Sequence, residues 1–158
     1  MRRILLVEDD RRAALAYEAL LAVEHPHVAV DTVYCAEHAL LCLSQRNYDL
    51  IVSDFKLPGL DGLGLLIGSY CLHRDMRFVL ISAYGDRALE ESAAKLGAYA
   101  VLHKPITPDV FLDVVKRALM KRRRPVTPGK GINRAMRRSL LQDAKRPETE
   151  RKDWTFLD

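Results

Sequence analysis

A chain of 158 residues, 49% apolar and 7% aromatic, is long and hydrophobic enough to bury one sizeable core and too apolar to be a disordered chain. No apolar run approaches the roughly 20 residues that span a bilayer, and ILLV after Arg2 and Arg3 is shorter than the core of a signal peptide, so the chain reads as cytoplasmic, with no membrane insertion. The net charge of +4 is divided unevenly: residues 1–115 hold 11 Lys and Arg against 16 Asp and Glu, a net of −5, and residues 116–158 hold 14 against 5, a net of +9. An acidic body carries a basic C-terminal tail.

The first apolar run, residues 4–7, is short. After it the spacing of Ala13, Ala14, Tyr17, Leu20 and Leu21 predicts a helix over residues 11–23 with one buried stripe. Asp10 stands where its N-cap belongs. Residues 28–33 predict a second strand and 36–43 a second helix, and residues 50–53 and 63–72 repeat the pair. A fourth strand, 78–81, and helix, 88–96, follow, closed by Gly97 as the C′ residue. Residues 99–102 predict a fifth strand, and Val110, Val114 and Ala118 with Phe111, Val115 and Leu119 a fifth helix. Strands that are apolar without alternation, separated by helices, indicate a parallel sheet covered on both faces. In such sheets ligands bind beyond the carboxyl ends of the strands.

Those ends are where the polar residues lie. The first strand runs into Glu8-Asp9-Asp10, the third into Asp54, the fourth into Ser82-Ala83 and the fifth into His103-Lys104-Pro105. Parallel strands bring these ends to one edge, so Glu8, Asp9 and Asp54 should crowd together and raise one another's pKa unless a cation intervenes. Lys104 supplies one positive charge; Mg²⁺ held by carboxylates, water and a phosphate would supply the rest. An aspartate beside Mg²⁺ and a lysine is also a nucleophile able to form an acyl phosphate, with the Ser82 hydroxyl available to the equatorial oxygens. Asp54 is the expected acceptor.

The segments ILLVEDD, YDLIVSDFKLPGLDG, VLISAYGD and AVLHKPI, in this order and spacing, resemble the four signature segments of bacterial two-component response regulators, in their receiver (CheY-like) domain. The resemblance covers about residues 1–121 and leaves 122–158 as a basic linker and short, possibly helical tail that is not a full output domain. It implies an α/β, doubly wound, flavodoxin-like five-stranded parallel sheet of order 2-1-3-4-5. By position, Asp54 matches the phosphorylated aspartate, Asp9 the direct Mg²⁺ ligand, Glu8 the acid that holds the metal through water, and Lys56 the residue whose backbone carbonyl ligates it. Ser82 matches the switch hydroxyl and Lys104 the phosphate-pairing lysine; the Lys104-Pro105 bond is usually cis in the family.

One position departs from the pattern. Most receivers carry Tyr or Phe three residues before the lysine, as an aromatic reporter of phosphorylation, where this chain has Val101. Tyr99, two residues earlier and so expected on the same strand face, or Tyr84, two after Ser82, takes the reporter's place, or both are ordinary half-buried tyrosines.

Other chemistries fit poorly. TPGKG lacks the first glycine of a P-loop, Gly59, Gly62 and Gly64 are wrongly spaced for a dinucleotide fingerprint, and the five histidines share no ligand spacing. Cys35, Cys42 and Cys71 lie on helical patterns without C-x-x-C spacing and suit reduced, mostly buried thiols. A phosphatase turning over through Asp54 lacks a general acid two residues on, where Lys56 stands. The chain is therefore expected to be a switch and not a turnover enzyme.

Its phosphoryl donor would be a histidine kinase or phosphotransfer protein. Its output would be a protein target, reached through residues 132–141, where Ile132, Met136 and Leu140 share one side of a short helical pattern. The alternative is a DNA-binding transcriptional regulator with the basic tail, or a missing C-terminal domain, as output.

Overall fold

The computed structural model describes residues 1–73, 75–83 and 87–120. Tyr84 and the whole of residues 121–158, including Ile132, Met136 and Leu140, lie outside the described residues. Strand and helix alternate as the patterns predict: β1 (Arg2–Val7), α1 (Arg11–Glu24), β2 (Val28–Val33), α2 (Ala36–Gln45), β3 (Leu50–Asp54), α3 (Gly62–Leu72), β4 (Arg77–Ser82), α4 (Arg87–Leu96), β5 (Ala100–His103) and α5 (Pro108–Met120). All neighbouring strands pair in parallel, in the order β2-β1-β3-β4-β5. No helix among the described residues is long and apolar enough to cross a membrane.

Because successive side chains of a strand point to opposite faces, the apolar runs serve two cores at once. Ile4, Leu6, Leu50, Val52, Val79 and Ile81 pack under α1 and α5 with Leu21, Phe111 and Val115. Leu5, Val7, Ile51, Phe78 and Leu80 pack under α2, α3 and α4 with Leu40, Leu65 and Ala93. β3 is buried along its whole length, which is why it reads as a continuous apolar run rather than an alternating one.

The helix boundaries have local causes. Asp10 caps α1, its Oδ1 accepting from the Arg12 and Ala13 amides at 2.8 and 3.3 Å, and Asp61 caps α3 by accepting from Gly64 at 2.8 Å. Gly97 follows α4 with a φ of +96°. The α1 stripe is narrower than its spacing suggests: Ala14 and Leu21 are buried, Ala13, Tyr17 and Leu20 only partly so, while Leu15 and Val23 face solvent. None of the three cysteines is in a disulfide, and all are half-buried rather than buried.

The fifth strand corrects one expectation. It begins at Ala100, one residue later than predicted, and Tyr99 does not share a face with Val101. Tyr99 packs against the α1–α5 core, whereas Val101 packs against the α2–α4 core. The two-residue alternation holds only inside a strand, and Tyr99 precedes it, held by the Arg77 guanidinium 5.2 Å from its ring centroid. Arg77 in turn donates to the Ala118 carbonyl on α5 at 2.6 Å. Tyr99 thus belongs to the amino edge of the sheet, opposite the edge where the carboxylates lie.

Candidate functional site

The carboxyl ends of β1, β3, β4 and β5 form one edge, and backbone bonds just past the strands keep it in register. The Glu8 amide donates to the Val33 carbonyl at 3.1 Å, the Phe55 amide to Ile81 at 2.7 Å and the Lys104 amide to Ser82 at 2.7 Å. At Gly62 the first turn of α3 comes so close to this edge that a Cβ would lie 2.7 Å from the Asp54 carbonyl oxygen, so a bare glycine is what lets the helix start there.

Three carboxylates meet at this edge. Glu8 and Asp54 are 1% and 7% exposed, Asp9 is open to solvent, and each offers an oxygen within 4.8 Å of the others. Lys104 reaches over them from the end of β5, its Nζ 3.3 Å from Glu8 Oε2 and 3.3 Å from Asp54 Oδ1. Glu8 Oε1 also accepts from the Asp10 amide at 3.2 Å. Ser82 is buried at the end of β4, and the Lys104-Pro105 bond is cis.

The electrostatics follow from burial and crowding. Desolvation pushes the Glu8 carboxyl above its ordinary range, and the neighbouring Asp54 charge pushes the same way, against the pull of Lys104. Asp54 is also raised, chiefly by desolvation, with Lys104 opposing. Burial draws the Lys104 ammonium down, but Glu8 and Asp54 together outweigh it and leave it above its ordinary value. One ammonium against three carboxylates leaves the cluster short of positive charge. The donor set consists of oxygens alone, which is the set a hard divalent cation such as Mg²⁺ takes, and it contains no His or Cys to favour zinc. The residues present fit the metal.

The response regulator receiver domain model matches residues 4–116. This chain belongs to the response regulator receiver family. The receiver is 41% identical over 119 residues to the response regulator protein FleR of Pseudomonas aeruginosa, which covers 73% of this chain and 24% of that protein. To the C4-dicarboxylate transport transcriptional regulatory protein DctD of Rhizobium meliloti it is 31% identical over 136 residues, 86% of this chain and 28% of that protein. The chain thus spans about a quarter of the length of these two relatives. Among solved structures, the receiver domain of NtrX from Brucella abortus superposes with a TM-score of 0.68 at 33% identity, covering 73% of this chain and 97% of that one.

Of the positions that the sequence marks, Glu8, Asp9, Asp54 and Lys104 come together, and Ser82 ends the strand between those of Asp54 and Lys104. Lys56 lies two residues beyond β3 with its side chain exposed. Tyr99 lies elsewhere in the receiver. Two contacts have no counterpart in the sequence reading. His103 Nε2 pairs with Glu90 Oε1 and ties β5 to the first turn of α4. Glu37 of α2, 8% exposed, accepts from the Leu60 amide at 3.3 Å in the loop after Asp54. An acid among Ala36, Ala39 and Leu40, all buried, is the sequence signal that marks Glu37.

Proposed function

We propose that this receiver accepts a phosphoryl group on Asp54 from a histidine kinase or phosphotransfer protein and passes the signal to a partner by a change of conformation. The observation that carries this reading is the Lys104 ammonium 3.3 Å from both Glu8 and Asp54, with Asp9 alongside. An oxygen of the Asp54 carboxylate attacks phosphorus in a phosphohistidine. The O–P bond forms as the P–N bond breaks, and the electron pair leaves on the imidazole nitrogen, which takes up a proton.

Lys104 is placed to follow one oxygen of the transferred group, and the Ser82 hydroxyl to take up another after transfer. Asp9, Asp54, the Lys56 carbonyl and, through water, Glu8 would hold Mg²⁺, whose charge would neutralise the phosphoryl oxygens. The chain is a switch that assists its own modification, not a turnover enzyme, and it works in the cytoplasm.

Phosphoramidate with Mg²⁺ tests the acceptor. Intact-mass spectrometry should find one phosphoryl adduct on the wild type and none on Asp54→Asn, and an equal adduct on both would sink the assignment. A second reading, a transcriptional regulator that acts by binding DNA, is supported by the similarity to DctD, a transcriptional regulatory protein, over 136 residues, a match longer than the receiver that runs into the basic segment, and by similarity to the DNA-binding transcriptional regulator NtrC of Salmonella typhimurium. Electrophoretic mobility with DNA separates it from a protein-directed output.

A further inference from the structure

We propose that Glu37 is a positioning residue for the acidic site: from α2 it holds the loop between β3 and α3 that carries the Lys56 carbonyl, so that this carbonyl keeps one orientation. This rests on the metal and acceptor roles proposed above for those residues. The loop leaves a fully buried strand at Asp54 and must return to α3 at Gly62. Its base is closed by the Gly62 amide, which donates to the Phe55 carbonyl at 2.9 Å, and Leu57 is tucked into the α2–α4 core. Its outer half, Pro58 and Gly59, is exposed.

There Glu37 supplies a contact from a different element. Its Oε1 accepts from the Leu60 amide at 3.3 Å. Gly59 sits at a φ of +75°, a backbone region that favours glycine, and a Cβ added to it would lie 2.7 Å from the same Glu37 Oε1. The carboxylate therefore fills the space beside the glycine while binding the next amide. Glu37 is itself buried among apolar neighbours in the first turn of α2, where an acidic side chain suits the helix dipole and a carboxylate without polar partners would be costly. With Phe55 tied at the base and Leu60 tied to α2, the segment carrying the Lys56 carbonyl is held at both ends. A backbone carbonyl binds a cation only along its own direction, so release of one end should weaken the metal while leaving Asp9 and Asp54 in place.

The test is a Mg²⁺ titration of the full chain, read from the backbone amide shifts of residues 54–57, with thermal unfolding measured in parallel. Glu37→Ala should weaken Mg²⁺ by about 10-fold, the scale on which partners of metal ligands act. Glu37→Gln, which keeps an acceptor oxygen, should restore most of that affinity. Gly59→Ala should weaken Mg²⁺ in the wild type and somewhat less in the Glu37→Ala background, because the clash with the Glu37 oxygen has gone while the backbone strain at a φ of +75° remains.

A folded Glu37→Ala that binds Mg²⁺ as the wild type does overturns the proposal, and so does Glu37→Gln binding as weakly as Glu37→Ala. Should Glu37→Ala fail to fold, unchanged affinity in Gly59→Ala overturns it instead. A wild type that binds no Mg²⁺ at these amides removes the metal reading itself, a result distinct from any failure at Glu37.

Discussion

Lys104 follows β5 and Glu8 follows β1, yet Lys104 Nζ lies 3.3 Å from Glu8 Oε2, across the ends of the two strands between them. A single side chain spans the carboxyl edge and meets Asp54 on the way, also at 3.3 Å. Removing it leaves two buried carboxylates facing each other without a cation. Lys104→Ala should therefore cost about 2 kcal/mol in metal-free buffer at pH 7, less than for a wholly buried pair because Lys104 is partly exposed. Thermal unfolding should show a fall of about 5 °C.

Asp54→Asn should act in the opposite direction. The Glu8 and Asp54 carboxyls are both raised above their ordinary values of 4.5 and 3.8, chiefly by desolvation. A raised carboxyl keeps its proton in the folded state after the unfolded chain has lost its own, so stability falls as pH climbs from about 4 through the raised values. In EDTA at pH 7, Asp54→Asn should melt above the wild type. The gain should shrink toward pH 4 and vanish below it, where the carboxyl is protonated in both states. A gain that stays constant with pH would trace the effect to packing and not to charge.

With Mg²⁺ held as proposed, the ion should stabilise the wild type, since a site built from the ends of separate strands exists only in the folded state. At a hundred times its dissociation constant the gain is about 2.7 kcal/mol, readable as a rise in melting temperature. Asp9→Asn should lose most of this rise, since it leaves the metal one carboxylate short. An Asp9→Asn protein with the full Mg²⁺ shift would remove Asp9 from the ligand set.

The phosphorylated form should decay slowly. In the reading proposed for this receiver, the sequence positions two after Asp54 and two after Ser82, Lys56 and Tyr84, are those expected to flank the path of an attacking water, and a cation and a phenol are both poor bases at pH 7. Lys56→Asn together with Tyr84→Ala should shorten the lifetime, followed as loss of the adduct mass with time. An unchanged decay would show that these side chains do not gate water.

The basic segment separates the two outputs. Non-specific DNA binding should weaken steeply with salt, its slope falling by about one for each phosphate-contacting Arg or Lys removed. Docking on a protein through Ile132, Met136 and Leu140 should tolerate salt and fail when these three become alanine. We expect the second pattern. Truncation after Arg124 should leave phosphorylation of Asp54 intact while abolishing partner binding, measured by mass and by pull-down. A truncated chain that no longer folds would make the segment part of the domain.

The alternation of strand and helix is written in the residues alone, since apolar runs and helical stripes are local patterns. The sequence also marked the edge where chemistry gathers: parallel strands end together, so Glu8, Asp9, Asp54, Ser82 and Lys104 had to share one side of the sheet. The cap at Asp10 was legible for the same reason, since a cap binds amides two or three residues away. How far Lys104 reaches emerges only from packing, because its partners lie on strands that are not its neighbours. Nor could periodicity place Tyr99, which lies outside the strand and follows Arg77 and α5 to the opposite edge. Glu37 needed the packing of α2 against the loop, since an acid on a helix looks solvated until a neighbouring element closes over it. Local periodicity carries the elements and their order; contacts between residues far apart in the chain exist only once those elements pack.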